Sequence, residues 1–228
     1  MTPGGRRRCI GGSAHGGADQ VLHVYAVAGE AGLHVIDVSD AYAPQVVGAF
    51  DPEAAVEAVA VRDGYAFLTG SLSGGGGDLP EGILYVVDVH DPAEPREVDT
   101  VALPSHTLSN LVAGDGTLYV GLADCAYFSC TGELLVIDVR DPANPQQVAS
   151  LPVTGGVLGL AIGQERIYLA AGEEGVALID VADPGRPRRV VGLDTPVLAQ
   201  SLAVDGERLY VADDAGGLLI LVVEPIAH

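Results

Sequence analysis

The sequence predicts an all-β protein, a β-propeller of about five four-stranded antiparallel blades, incomplete at its seam. Three observations predict it. First, LLVIDVRDPANP at Leu134 to Pro145 recurs as LHVIDVSDAYAP from Leu33, LYVVDVHDPAEP from Leu84 and VALIDVADPGRP from Val176, with a worn copy, LLILVVEP, from Leu218. Second, the repeat positions Asp37, Asp88, Asp138, Asp180 and Val222 are 51, 50, 42 and 42 residues apart, a basic period of 42. Third, each period holds four short apolar runs parted by Gly, Pro, Asp and Asn, with no sustained helical periodicity. A four-stranded meander repeated at such a period is a propeller blade.

The elements follow in order. Residues 1–19 are Gly- and Arg-rich without periodicity and read as an irregular tail; residues 20–228 form the propeller domain. With strands named A to D from the centre outward, the first unit has B (VLHVYAVA), C (LHVIDV) and D (PQVVGAF) but no convincing A. The second to fourth units are complete. The fifth has A (SLAVD), B (RLYVA) and C (LLILVV) but no D. A piece of a longer propeller is one explanation that the sequence leaves open, and an exposed edge at the seam would invite association. Tyr25, Phe67, Tyr119, Tyr168 and Tyr210 fill one aromatic slot in the B strands. The two longer gaps come from inserts at 71–82 (SLSGGGGDLPEG) and 123–133 (ADCAYFSCTGE).

The motif LxVIDVxDPxxPxxV, with YVA about a dozen residues ahead of the Asp, resembles the LVIVD-repeat family and is similar to YVTN-type propeller repeats. The likeness spans residues 20–224. Two departures stand out: Ala41 replaces the motif proline, and Val222 replaces the Asp. The resemblance implies a bacterial or archaeal propeller, often on a surface or secreted protein and often serving binding or adhesion. It brings no catalytic residue set.

Composition narrows the chemistry. Formal net charge is -20, which disfavours nucleic acid and anionic membranes as partners. All 11 basic residues are Arg, so P-loop and Schiff-base lysine chemistry are excluded. No apolar run is long enough to span a bilayer as a helix. The basic N-terminus has no apolar segment behind it, so no signal peptide is read in this chain. Cys125 and Cys130, read in a loop excursion at 123–133, are a disulfide candidate; free thiols and half of a zinc site are the alternatives. An extracellular or cell-envelope location is favoured over a cytoplasmic one.

The repeat Asp residues read as turn formers rather than as a carboxylate ring. The B–C and D–A loops share one face, which collects Glu30, Asp78, Glu81, Asp124, Glu133, Glu173, Glu174, Asp213 and Asp214. Near the axis of that face, Glu57, His106, Asn110, Gln200 and Ser201 are the candidate ligand-binding residues. No cofactor is expected, although such an acidic mouth could hold Ca²⁺. Two functions stay open: a non-enzymatic scaffold binding a protein or small ligand on the acidic face, and a Ca²⁺-dependent propeller hydrolase of the lactonase sort. With no catalytic constellation in view, the scaffold is favoured; the enzyme reading would draw its metal ligands from Glu57, His106 and Asn110 and names no catalytic residue.

Overall fold

A computed structural model describes residues 11–15, 22–72, 81–104, 108–126, 129–163 and 166–223. It is all-β, with five antiparallel sheets that are the blades of a propeller. The chain divides into two compact units. Met1–Ser105 with Pro142–Asn144 form the first, and His106–Asp141 with Pro145–His228 the second.

The first unit holds two blades. Blade one is β1 (Gly11–His15), β2 (His23–Val27), β3 (Leu33–Asp37) and β4 (Gln45–Phe50). Blade two is β5 (Ala55–Arg62), β6 (Tyr65–Leu72), β7 (Glu81–Asp88) and β8 (Arg96–Leu103). The second unit holds three. Blade three is β9 (Leu108–Ala113), β10 (Thr117–Ala126), β11 (Ser129–Asp138) and β12 (Gln146–Thr154). Blade four is β13 (Gly159–Gly163), β14 (Arg166–Ala170), β15 (Val176–Asp180) and β16 (Arg188–Leu193). Blade five is β17 (Ser201–Asp205), β18 (Arg208–Ala212) and β19 (Leu218–Val222).

Two sequence expectations are corrected. Blade one has an inner strand: β1 pairs with β2 from Gly11↔Val27 to His15↔His23, so residues 11–15 are not an irregular tail. GGSAH gives no apolar alternation to read. Its backbone groups pair because β2 offers an open edge. The insert at 123–133 is likewise no loop excursion. It lengthens β10 and β11 to ten residues each, in continuous register out to Ala126↔Ser129. The outer strand missing from the fifth repeat is missing here too: among the described residues blade five has three strands.

The repeat explains the local structure. In each complete blade the first Asp closes strand C and accepts the backbone N–H two residues on: Ser39, His90, Arg140 and Ala182 donate at 2.8, 2.9, 3.0 and 3.0 Å. The second Asp repeats the device, with Asp40, Asp91 and Asp183 accepting from Tyr42, Ala93 and Gly185. These paired Asx turns reverse the chain into strand D. The motif's last Val (Val47, Val98, Val148, Val190) then sits at a β-bulge in strand D of all four complete blades. One extra residue there increases twist, as an outermost strand requires. The aromatic slot faces the C-strand residue two before the Asp position: Tyr25↔Val35, Phe67↔Val86, Tyr119↔Val136, Tyr168↔Leu178 and Tyr210↔Ile220. Aromatic–aliphatic pairs of this kind stabilise a sheet by about 0.2–1 kcal/mol each. Burial raises the pKa of the Tyr25 and Tyr119 phenols.

Core packing is blade against blade within each unit. In the first, Val27, Leu33 and Val35 pack with Val56, Leu68 and Val87. In the second, Leu134 and Val136 of blade three meet Ile167, Leu169 and Ile179 of blade four. Tyr168 and Leu178 of blade four share a further cluster with Leu209 and Val211 of blade five.

Candidate functional site

The loops that join B to C are short where no insert intervenes. AGEAGL at 28–33 and AGEEGV at 171–176 form the same turn, with positive φ at Gly29 and Gly32 (61° and 69°) and at Gly172 and Gly175 (59° and 73°). Each turn is seated on the D–A connection of its own blade. A Cβ on Gly32 would lie 2.2 Å from the Phe50 carbonyl oxygen, and one on Gly175 2.3 Å from that of Leu193. Only glycine fits both the backbone and the space. Glu30 and the pair Glu173–Glu174 are exposed at the tips.

A recurring latch holds consecutive blades together on this face. Val56, Val157 and Ala199 are fully buried. Each donates its N–H to a carbonyl of the preceding blade, in the B–C turn for Gly29 at 3.2 Å and Gly172 at 3.0 Å and within strand B for Leu122 at 3.3 Å. Nothing in residue type marks these positions, so sequence reasoning misses them; only their place two residues before the A-strand residues Ala58, Gly159 and Ser201 is common.

Of the candidate residues, Glu57 belongs to the first unit. It is the extra residue of a bulge in β5, between Val56↔Gly70 and Ala58↔Thr69, and accepts a hydrogen bond from the Ser71 hydroxyl at 3.1 Å. Asn110, Gln200 and Ser201 belong to the second unit, and His106 lies outside the described residues. Asn110 pairs with Gly121, and its amide nitrogen donates to the carbonyls of Val157 at 3.3 Å and Leu158 at 3.1 Å. It ties β9 to the entry of β13. Gln200 is exposed, with its backbone N–H donated to Ala212 at 2.9 Å. Ser201 is exposed at the start of β17, and its Cα lies 2.9 Å from where a Cβ on Gly159 would stand. Asn110 and Ser201 thus flank β13 from its two neighbouring blades.

The acidic residues divide. Asp78 is outside the described residues, and Asp214 is exposed. Asp213 is not a surface charge: it is fully buried, and its Oδ2 accepts from Val197 N–H at 3.1 Å, holding the D–A connection of blade four. Among the described residues no group of three or more His, Cys, Asp or Glu is placed to hold a metal ion.

In the second unit the loops converge. Cys130, Thr154, Gly155, Leu158, Glu173 and Leu198 are among the residues lining a concavity of about 130 Å³. These come from the β10–β11 hairpin, both D–A connections and the blade-four B–C turn. The hairpin is closed by a Cys125–Cys130 disulfide between directly opposed residues, Cα–Cα 4.1 Å. Gly155 N–H donates to Cys130 O at 3.0 Å, fixing the hairpin to the floor.

The C–D turns lie at the other ends of the strands. Asp138 is held down to about 2 by the Arg140 guanidinium and backbone N–H. Asp180 is lowered by the Ala182 N–H and by Arg188, whose Nη2 lies at 2.6 Å. Asp37 and Asp88 are lowered by the N–H groups of Ser39 and His90. These carboxylates serve their turns, and Arg188 of the Arg186–Arg188–Arg189 cluster is committed to Asp180.

Comparison with known proteins agrees with this architecture. The LVIVD repeat model matches residues 23–51 and 198–222, which are the body of blade one and nearly all of blade five. The chain carries LVIVD repeats. The matched copies are the two that depart most from the chain's own motif, so the fifth, worn unit is a true repeat. Among solved structures, the LVIVD-repeat chain is similar to the computationally designed Ika4 protein, with a TM-score of 0.57 at 14% identity, over 79% of this chain and 99% of that one. At that identity the likeness shows the fold alone. No curated protein sequence matches.

Proposed function

We propose that the LVIVD-repeat chain is a non-enzymatic binding scaffold that engages a protein partner, or a small ligand, through the face built from B–C turns and D–A connections. The supporting observation is the convergence of blade three, blade four and the connection into blade five around the concavity beside Glu173 and Glu174. Its volume, about 130 Å³, is below the roughly 300–1,000 Å³ of small-molecule pockets, and suits one inserted side chain of a protein. With net charge -20 and two exposed glutamates at the rim, that side chain is a basic one. The disulfide-closed hairpin fits an oxidising compartment, hence an extracellular or cell-envelope location. No observation favours a hydrolase: Asn110 is oriented by two carbonyls and Glu57 by Ser71.

The test is a titration of ¹⁵N-labelled protein with a hexa-arginine peptide. Shift changes are expected to cluster at Gly155, Gly172, Glu173 and Leu198, and a Glu173→Gln, Glu174→Gln double variant should bind at least fivefold more weakly. Shifts spread evenly over the acidic surface, with binding unchanged in the variant, would sink this reading.

A further inference from the structure

A covalent bond meets the loop face at blade three. Cys125 and Cys130 stand directly opposite each other near the end of the β10–β11 hairpin, with Ala126↔Ser129 the one register pair beyond them. Both residues are half-buried rather than enclosed, and Cys130 lines the concavity, so a small reductant can reach the bond. The hairpin does not depend on it. Its strands pair in unbroken register from Thr117↔Asp138 to Asp124↔Thr131, and Leu118, Val120, Leu134 and Ile137 are fully buried. A disulfide stabilises mainly by closing a loop in the unfolded chain, least for short loops, and this one joins residues only five apart. Its loss therefore falls on the hairpin end and on what that end holds.

What it holds is the rim of the concavity. The Cys130 carbonyl accepts the Gly155 N–H at 3.0 Å. Gly155, at φ 82°, has no side chain to anchor it, and it sits against the blade-four B–C turn. A Cβ on Gly155 would lie 2.1 Å from the Ala171 carbonyl oxygen and 3.1 Å from Glu174 Cγ. The same Ala171 carbonyl accepts the Glu174 N–H at 3.1 Å. Contacts in series thus run from the disulfide through Gly155 to the turn that presents Glu173 and Glu174. The Val157-to-Leu122 latch lies inside the register that survives reduction, so the blades stay joined in either state.

We propose that the Cys125–Cys130 disulfide is a thiol–disulfide exchange site that switches this face. Oxidised, it holds Gly155 and the Glu173–Glu174 turn in place for a basic side chain; reduced, it releases them. The effect on binding rests on the proposed function, whereas the release of Gly155 does not. The substrate is a dithiol. One of its thiolates attacks a protein sulfur, the S–S bond breaks and a mixed disulfide forms; its second thiol then displaces the protein sulfur. Two electrons and two protons pass to Cys125 and Cys130, and the dithiol leaves as its cyclic disulfide. With Asp124 next in sequence to Cys125 and Glu173 and Glu174 on the same concavity, an uncharged dithiol is favoured over an anionic one.

The test uses the full chain with Cys9→Ser, which removes the third cysteine. Dithiothreitol under native conditions should free both remaining thiols and leave the far-UV circular dichroism unchanged. Amide exchange at Gly155 and Glu174 should then quicken at least tenfold, with Gly32 of blade one unaffected. Affinity for the hexa-arginine peptide should fall at least threefold, and reoxidation should restore both readings. A Cys125→Ser, Cys130→Ser double variant should match the reduced chain with or without dithiothreitol. A bond that resists dithiothreitol in the native chain, unchanged exchange at Gly155, or global unfolding on reduction would overturn the proposal. So would equal peptide affinity in the two forms. An oxidised chain that ignores the peptide overturns the binding function instead, and exchange at Gly155 then decides the switch alone.

Discussion

Gly175→Ala is expected to cost about 3 kcal/mol, while Gly217→Ala, at the same repeat position and a similar backbone angle, costs about 1 kcal/mol. Both glycines stand five residues before the repeat Asp position and have φ near +75°, 73° and 80°. The left-handed backbone charges any L-residue about 1–2 kcal/mol at either site. What differs is the surroundings. A methyl at 175 would lie 2.3 Å from Leu193 O and 2.7 Å from Thr195 N, which are backbone atoms with nowhere to go, whereas a methyl at 217 meets nothing within 4 Å. For a chain of this size the first variant should melt about 6–12 °C lower. Urea denaturation of the two variants reads the difference. Equal costs would mean that the blade-four B–C turn is not seated on its D–A connection, and the floor of the proposed binding face would go with it.

The second contrast uses one motif position in two copies. Leu134→Ala should destabilise by about 3–4 kcal/mol, and Leu218→Ala by about 0.5 kcal/mol or less. Each residue opens its copy of the motif, four before the Asp position. Leu134 is 0% exposed in the core between blades three and four, whereas Leu218 is 64% exposed on the edge strand of blade five. Removing the first leaves a cavity walled by Val136, Leu169 and Ile179; removing the second leaves solvent. A large loss at Leu218 in the urea midpoint would show that this edge is covered in solution.

Much of the fold is legible in the sequence because the repeat carries it. The 42-residue period, the Asp pairs that turn C into D and the aromatic opposite the motif's first Val are all properties of residue type at fixed spacing. What is not legible is backbone-borne. GGSAH has no side-chain pattern, yet Gly11–His15 is a strand because β2 needs a partner. The bulge at Val47, Val98, Val148 and Val190 shows only in the register. The latch through Val56, Val157 and Ala199 uses main-chain groups that any residue supplies. For the candidate site, the sharing of one face by B–C and D–A loops was legible from topology. The roles of individual residues were not: Asp213 reads as one more surface acid, and only its burial beneath Val197 N–H distinguishes it. Asn110 reads as a ligand, and its hydrogen bonds to Val157 and Leu158 make it a tie between blades.

The proposed scaffold is metal-free, with an acidic face that binds a partner rather than performing metal-assisted hydrolysis. A thermal melt of the purified chain, with excess Ca²⁺ and again with EDTA, tests it most directly, since an ion that binds only the native state raises the melting temperature by mass action. The account predicts superimposable curves. A rise of several degrees with Ca²⁺, reversed by EDTA, would contradict it and put a cation at the acidic mouth.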